Sequence, residues 1–182
     1  MPLKYQVPDD KKVRVIVDSD AACEADDPFA IAHALLCDKF IVKAIFAEHF
    51  NCEGSMKQSF EEIQRVVKAM KKEVPVLMGE IGKMSEKGTG EISEASSFLI
   101  REALREDDKP LYVLCIGAIT NIASAIQACP DIVPHMTVVW IGGQSHEHST
   151  GEVREFNAGN DIEAANLVPV SYTHLTLPTN SL

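Results

Sequence analysis

The chain has 182 residues, of which 46% are hydrophobic and 24% are charged, a balance typical of one globular domain and not of a disordered chain. Its formal net charge of −10 argues against nucleic acid or an anionic membrane as the main partner, since both select basic surfaces. The sequence has no apolar run of membrane-spanning length, no apolar core of a signal peptide and no C-x-x-C pair, so we expect a cytoplasmic protein without a disulfide framework or a zinc site.

Strands and helices alternate along the chain with short connections. The predicted strands lie at 13–17, 41–47, 74–78, 111–116 and 136–141. The first helix is predicted to have Asp27 as its N-cap and Pro28 as its first residue, and to run through FAIAHALLC. Later helices are predicted at 56–71, 93–105 and 120–128, and Asp161 is expected to cap one more.

This alternation predicts an α/β protein built from βαβ units. We expect a three-layer αβα arrangement, in which a mainly parallel open sheet has helices on both faces. Ligands of such sheets bind beyond the carboxyl ends of the strands. Polar segments follow four of the predicted strands at that edge: DSDAACEADD, AEHFN, IGAITN and GGQSHEHST.

The end of the chain differs in composition from the rest. Residues 164–182 contain no Asp, Glu, Lys or Arg, and PVSYTHLTLPTNSL has no helical period. This segment resembles a tail produced when adapter or vector sequence is translated onto a truncated reading frame. We therefore expect an incomplete domain at 1–168 and a non-native tail at 169–182. The alternative is a native strand with a polar terminus.

Four aspartates, Asp18, Asp20, Asp26 and Asp27, lie within ten residues at the first strand-to-helix connection. Carboxylates placed this close repel each other, and a hard cation such as Ca²⁺ or Mg²⁺ relieves that repulsion. The sequence therefore favours a divalent-cation site here. The alternative is that Asp27 only caps the helix and the other three are solvated loop acids.

Five motifs, in order, resemble the nucleoside hydrolase family (inosine-uridine-preferring nucleoside N-ribohydrolases). They are VDSDAACEADD, AEHFN, LYVLCIGAITNIASAI, VVWIGG and EFNAGNDIEAA, and together they cover about 13–168. The long D-x-D-A-A-x-E-x-D-D loop is similar to that of one subgroup, which has Asn where this chain has Cys23. The resemblance implies a Rossmann-like fold and hydrolysis of the N-glycosidic bond of ribonucleosides to free base and ribose, a step of purine and pyrimidine salvage.

The resemblance also implies residue roles and a calcium cofactor. Asp20 would be both a metal ligand and the general base toward a water that the metal activates, while Asp27 and the main-chain carbonyl of Ile116 would complete the ligands from this chain. The ribose hydroxyls would be held by Asp26, Asn51, Glu155 and Asn157. Asp18 would support these ligands without contacting the metal. The partner would be a small ribonucleoside, and we expect the full-length protein to be a homo-oligomer.

Two departures from the family pattern bear on activity. Ser149 stands where family members have a ribose-contacting asparagine, and the C-terminal region that supplies a further metal- and ribose-binding aspartate is missing. His146 and His148 are candidates to face the leaving base. We therefore expect the 182-residue chain itself to be inactive.

Two other function classes stay open at this point. One is a Mg²⁺-dependent phosphotransferase using D-x-D, against which the adjacent Asp26-Asp27 pair and the lack of a Gly-rich phosphate loop argue. The other is a nucleoside- or cation-binding fragment without catalysis. Release of ribose from a nucleoside, or of phosphate from a phosphoester, would distinguish these possibilities.

Overall fold

In the computed structural model, which describes residues 6–86, 92–143 and 155–171, five strands form one sheet. They are β1 (Val13–Ser19), β2 (Phe40–Ala47), β3 (Val76–Met78), β4 (Leu111–Cys115) and β5 (Thr137–Trp140). The strand order is β3-β2-β1-β4-β5, and every neighbouring pair is parallel. The predicted parallel sheet is therefore confirmed.

The central strand β1 is buried on both faces. Its β-branched residues favour an extended backbone, and successive side chains point to opposite faces of the sheet. Val15 and Val17 pack into one hydrophobic core, whereas Ile16 packs into the other. This double burial explains why the strand reads as a continuous apolar run and not as an alternating one.

Six α-helices lie within the described ranges. They are α1 (Asp26–Leu36), α2 (Ser55–Ala69), α3 (Glu94–Ala103), α4 (Thr120–Ala128), α5 (Phe156–Asn160) and α6 (Ile162–Val170). The apolar residues of α1 and α2 share one core with Val15 and Val17, and those of α3, α4 and α6 share the other with Ile16. The protein thus has the three predicted layers, with the sheet in the middle. None of these helices is both long and apolar enough to cross a bilayer.

The strand order places a topological switch beside β1. From β1 the chain runs through β2 to β3 on one side, and then returns to the other side of β1 for β4 and β5. The connections leave opposite faces of the sheet on the two sides of this point, and in open α/β sheets the ligand-binding crevice lies at such a point, here at the carboxyl ends of β1 and β4. Asp20 and Ile116 directly follow these two strands.

Helix α4 and the cap of α6 agree with the sequence pattern, α2 and α3 begin and end within two residues of the predicted bounds, and the start of α1 differs. The predicted helix at 120–128 coincides with α4, and Asp161 caps α6 by accepting a hydrogen bond from the Ala164 amide at 3.1 Å. The prediction that Asp27 is the N-cap of α1 is wrong. The N-cap is Ala25, without a side-chain cap, because the Asp27 carboxylate instead accepts a hydrogen bond from the Ser19 hydroxyl.

The proposed domain boundary at 169 falls within α6, which continues to Val170. Most of the segment interpreted as a tail, residues 172–182, lies outside the described residues, as do His146, His148 and Ser149. The predicted non-native origin of that segment stays a prediction. The short helix α5 was not predicted, because a single turn of FNAGN carries too few apolar positions to show a period.

Gly79, which follows β3, lies where no other residue fits. A Cβ placed there would be 2.1 Å from the Ala47 carbonyl oxygen and 2.4 Å from Oδ1 of Asn121. We expect Gly79→Ala to lower the free energy of unfolding by about 1–3 kcal/mol, since overpacking of this kind forces the backbone to shift. Urea denaturation followed by Trp140 fluorescence measures the change.

The matched control is Gly54→Ala. Nothing lies within 4 Å of a Cβ at Gly54, but its φ is +74°, so that variant measures only the cost of the left-handed backbone. A loss of stability in Gly79→Ala no larger than in Gly54→Ala would contradict the steric interpretation.

Candidate functional site

Asp20 lies at the switch point, directly after β1. Its side chain is only 3% exposed, and Oδ1 would be 2.8 Å from a Cβ on Gly117, which directly follows Ile116. The carboxylate therefore packs against the backbone of Gly117, the residue after Ile116. Burial, followed by the neighbouring charge of Asp27, raises the pKa of Asp20 to about 7.

Asp27 reaches the same place from the first turn of α1. It is 5% exposed, and its carboxylate accepts the hydrogen bond of the Ser19 hydroxyl. Burial raises the pKa of Asp27 to about 6, and the hydrogen bond from Ser19 opposes that rise. The structure thus brings Asp20 and Asp27 together as two buried, mutually repelling carboxyl groups.

The main chain of Ile116 joins the two central strands beyond their last sheet residues. Its amide donates to the Asp18 carbonyl at 2.9 Å, and its carbonyl accepts from Nδ2 of Asn157 at 3.2 Å. Nδ2 of Asn157 also donates to the Ile141 carbonyl at 2.8 Å. The side chain of Asn157 therefore holds α5 against the ends of β4 and β5.

Glu155 organises the backbone next to Asn157. It is the N-cap of α5, and its carboxylate accepts hydrogen bonds from the amides of Asn157 and Ala158, both at 2.9 Å. A third amide, that of Gly143 after β5, donates to Oε2 at 2.8 Å. Carboxylate oxygens have about four acceptor sites, so these contacts leave capacity for a further donor.

Asp26, the first residue of α1, and Asn51, which follows β2, are both exposed. Asn51 has a φ of +58°, and its amide donates to Nδ1 of His49 at 3.2 Å. The structure therefore brings Asp20 and Asp27 together and joins Asn157 to the Ile116 carbonyl, whereas Asp26 and Asn51 are exposed and form no hydrogen bond with these groups within the described part of the chain.

A buried polar network below the crevice was not recognised in the sequence. Glu48, His49 and Asn121 are at most 1% exposed. Nδ2 of Asn121 donates to Asp18 at 2.8 Å, and its main-chain amide donates to Glu48 at 3.0 Å. Burial raises the pKa of Asp18 and of Glu48; the charge of Asp18 raises the pKa of Glu48 further, whereas hydrogen bonds from Asn121 and Glu48 oppose the rise at Asp18. The signal for this network was present: Glu48 and His49 follow directly on the apolar strand β2.

The donor set fits a hard cation. It consists of two carboxylates and one carbonyl, and Ca²⁺ and Mg²⁺ prefer oxygen ligands of this kind. Positive charge would also relieve the repulsion that raises the pKa values of Asp20 and Asp27. In the part of the chain that the structure describes, no three His, Cys, Asp or Glu side chains converge as a metal site by themselves. Further ligands would have to be waters, substrate hydroxyls or other residues.

The raised pKa values predict an unusual dependence of stability on pH. Asp20 and Asp27 have pKa values of about 7 and 6 in the folded protein and an ordinary value of 3.8 when unfolded. Between these values the folded state binds more protons than the unfolded state, so stability falls as pH rises. With a chelator present, we expect the free energy of unfolding to decrease from pH 5 to pH 8, measured by urea denaturation.

Two additions make this pH test specific. Asp27→Asn should make the decrease shallower, because the amide does not titrate. Calcium added at pH 8 should restore stability, since a cation replaces the lost protons. Stability that rises between pH 5 and pH 8 in the chelator would contradict the assignment of raised pKa values.

Beside the crevice, a cleft of about 580 Å³ opens between the segments that follow β2 and β3. Its lining includes His49, Asn51, Glu80, Ile81 and Lys83. The cleft mixes acidic, basic and apolar side chains, and it is continuous with the exposed side of Asn51. It is large enough to hold a small organic molecule.

Comparison with known proteins places these features in a family context. The family model described as inosine-uridine preferring nucleoside hydrolase matches residues 15–179. The non-specific ribonucleoside hydrolase RihC of Escherichia fergusonii is 38% identical over 74 residues, which are 40% of this chain and 24% of that protein. The chain therefore matches about a quarter of the length of this relative.

Solved structures agree with the fold. The structure described as inosine-guanosine nucleoside hydrolase matches with a TM-score of 0.70 and 24% identity, over 86% of this chain and 56% of that one. The plant nucleoside hydrolase PpNRh1 matches with a TM-score of 0.72 and 18% identity, over 87% of this chain and 57% of that one. At these identities the likeness shows a shared fold, and this chain spans little more than half of each structure.

Proposed function

The chain belongs to the inosine-uridine preferring nucleoside hydrolase family, and from this premise we propose that its full-length parent hydrolyses the N-glycosidic bond of ribonucleosides. The products are the free base and ribose. The observation that carries the proposal is the pair of buried carboxyl groups, Asp20 and Asp27, at the switch point of a parallel sheet, where Asp20 packs against Gly117 in the turn after β4.

Asp20 is the proposed general base. Its carboxylate is buried at the switch point, where it can accept a proton from a water that lies beside it. The pKa of about 7 is that of the metal-free group, and a bound cation would hold Asp20 in its ionised, proton-accepting form. The burial that raises this pKa also keeps bulk water away from the reacting groups.

The sugar is proposed to lie on the exposed side of the carboxylate pair. Cleavage of the bond builds positive charge on the ribose ring, which nearby carboxylates stabilise. The proposed contacts to the ribose hydroxyls come from the exposed residues Asp26 and Asn51, and from Glu155 and Asn157 beside Ile116. Their carboxylate and amide groups can accept and donate hydrogen bonds to neighbouring hydroxyls.

One calcium ion is the proposed cofactor, held by Asp20, Asp27 and the Ile116 carbonyl. When bound, the ion supplies positive charge that makes a water molecule easier to deprotonate at neutral pH. Asn157 already donates a hydrogen bond to the Ile116 carbonyl, and this contact orients the carbonyl group. Ser19 orients the carboxylate of Asp27 in the same way.

Asp27→Ala tests the metal assignment. We expect calorimetry on the full-length parent to show one chelator-sensitive calcium site, which this variant abolishes because it removes a buried carboxylate ligand. Asp131→Ala, at an exposed position in the segment before β5, is the matched control and should bind calcium as the wild type does. Unchanged binding in Asp27→Ala would remove Asp27 from the site.

The products of the reaction distinguish the alternatives. Free ribose released from inosine or uridine by the full-length parent supports hydrolysis. Binding of nucleoside or calcium without ribose release would identify a binding protein, and phosphate released from a phosphoester would identify a phosphotransferase.

A further inference from the structure

We propose that His49 is a positioning residue that holds Asn51 in place for sugar binding, through a buried hydrogen-bond chain that continues to Thr120 and Asp161. This inference rests on the proposed function, because it takes Asn51 as a ribose contact. His49 itself is 1% exposed and lies between the carboxyl end of β2 and the N-terminus of α4.

The direction of the hydrogen bonds follows from the fixed group at one end of the chain. The main-chain N–H of Asn51 can only donate. Nδ1 of His49, which lies 3.2 Å from this nitrogen, must therefore be the unprotonated ring nitrogen. In a neutral imidazole the proton is then on Nε2, which donates to Oγ1 of Thr120 at 2.9 Å. The Thr120 hydroxyl in turn donates to Oδ2 of Asp161 at 2.8 Å. Each donor thus has an acceptor, from the Asn51 amide to the Asp161 carboxylate.

The backbone conformation of Asn51 is one that such hydrogen bonds stabilise. Its φ of +58° is in the left-handed region, which residues other than glycine enter at a cost and which nearby hydrogen bonds stabilise. The Phe50 amide next to it donates to the Ser55 hydroxyl at 3.2 Å. Together, the His49 and Ser55 contacts hold the turn that presents the Asn51 side chain to the cleft.

The other end of the chain reaches the second group of proposed sugar contacts. Besides the bond from Thr120, the Asp161 carboxylate accepts hydrogen bonds from the main-chain amides of Met84, at 2.8 Å, and Ala164, at 3.1 Å. Through these three bonds it connects the segment that follows β3 with both α4 and α6. The helix α5, which carries Asn157, ends at Asn160 directly before Asp161. One buried chain thus links the loop of Asn51 to the segment of Asn157.

The same contacts indicate that His49 has a positioning role and not a role in proton transfer. Both ring nitrogens of His49 are engaged: Nδ1 accepts from a main-chain amide, and Nε2 lies 2.9 Å from the Thr120 hydroxyl and 3.6 Å from the Glu48 carboxylate. Neither ring nitrogen is left to protonate a leaving base. His49 therefore acts through Asn51 and not on the substrate.

Two substitutions divide the roles of the two ring nitrogens. His49→Asn places an amide oxygen near the position of Nδ1 and keeps an acceptor for Asn51, while the contact with Thr120 is lost. His49→Gln places an amide group near the position of Nε2 and keeps the Thr120 contact, while the acceptor for Asn51 is lost. Circular dichroism and thermal unfolding check that both variants fold.

Amide hydrogen exchange on the full-length parent is the first measurement. We expect the main-chain amide of Asn51 to exchange at least about tenfold faster in His49→Gln than in wild type. In His49→Asn its exchange rate should stay within about threefold of the wild-type rate. Equal exchange in the two variants, or wild-type exchange in His49→Gln, would overturn the proposed contact. If neither variant folds, Thr120→Val replaces them: the proposal then requires a faster Asn51 amide, and wild-type exchange overturns it.

Inosine binding by the calcium-loaded full-length parent is the second measurement. We expect His49→Gln to raise the Kd for inosine by about tenfold. In a protein that already carries Asn51→Ala, the same substitution should cause no further loss of inosine affinity. Equal losses with and without Asn51 would overturn positioning through that residue. If the wild-type protein binds no nucleoside, the proposed function and the sugar-binding role of Asn51 are overturned. The expected exchange pattern would in that case still confirm the contact between His49 and Asn51.

Discussion

Asp20→Asn is expected to reduce turnover of inosine and uridine by the full-length parent by about 10²–10⁴-fold, the contribution typical of a general base. Asparagine has nearly the same shape as aspartate, so the variant keeps the packing against Gly117. An amide oxygen does not accept the proton of the attacking water at neutral pH. Loss of one anionic ligand would also weaken calcium binding and add to the effect.

The two causes can be separated by measuring turnover at saturating calcium. A residual loss of at least about 10²-fold under that condition belongs to the missing base. Asp10→Asn is the control, since Asp10 precedes β1, at the opposite end of that strand from Asp20, and its side chain is 72% exposed. Activity of Asp20→Asn within a few-fold of wild type would exclude Asp20 as the base.

The 182-residue chain as written is expected to show no measurable turnover of inosine or uridine with added calcium. Its proposed metal ligands are Asp20, Asp27 and one carbonyl, whereas Ca²⁺ commonly takes about 6–8 oxygens. Waters and ribose hydroxyls can supply some of the others, but the ion would be held loosely. The chain also spans only 56% of the length of a matched nucleoside hydrolase structure.

Exposed apolar groups at one edge of the sheet are a second reason to expect no turnover from the 182-residue chain. Val139 in the edge strand β5 is 47% exposed, and Ile141 directly after it is 62% exposed. An open strand edge with apolar side chains favours association between chains. We therefore expect this chain to aggregate at concentrations at which a longer version remains monodisperse in light scattering.

The comparison uses a second protein in which residues 169–182 are replaced by the genomic reading frame downstream of codon 168. We expect that version to release ribose and to bind calcium more tightly than the 182-residue chain. Comparable turnover by the two proteins would show that the chain is competent as written, and that the interpretation of residues 169–182 as a foreign tail is wrong.

Much of the fold was determined by local sequence pattern. Continuous apolar runs, such as that of β1, can bury both faces only inside a parallel sheet covered by helices, so alternation of these runs with amphipathic segments predicts the three layers. The carboxyl ends of parallel strands meet at one edge, which is why the aspartates after β1 and the Ile116 turn after β4 were expected in one site. The motifs of the family, read in order, assigned roles to those residues.

The tertiary structure alone decided which polar groups bond to which. Asp27 was expected to cap a helix, and the local pattern Asp-Pro supports that interpretation. In the folded protein Asp27 is buried beside Asp20, and its carboxylate accepts a hydrogen bond from the Ser19 hydroxyl. Ala25 is the N-cap of α1 instead. A buried carboxylate bonds to whichever donor the fold brings near it, because leaving it unsatisfied costs more than an uncapped helix end exposed to water.

The chain from His49 through Thr120 to Asp161 depends on tertiary structure for the same reason. Its members are separated by 71 and 41 positions in sequence, so no local spacing indicates that they touch. Residue type, periodicity and motif order therefore determined the layers, the edge that carries the site and the candidate carboxylates. The hydrogen-bond partners, the burial and the resulting pKa values of Asp20 and Asp27 depend on which distant segments pack together, and only the folded chain specifies that.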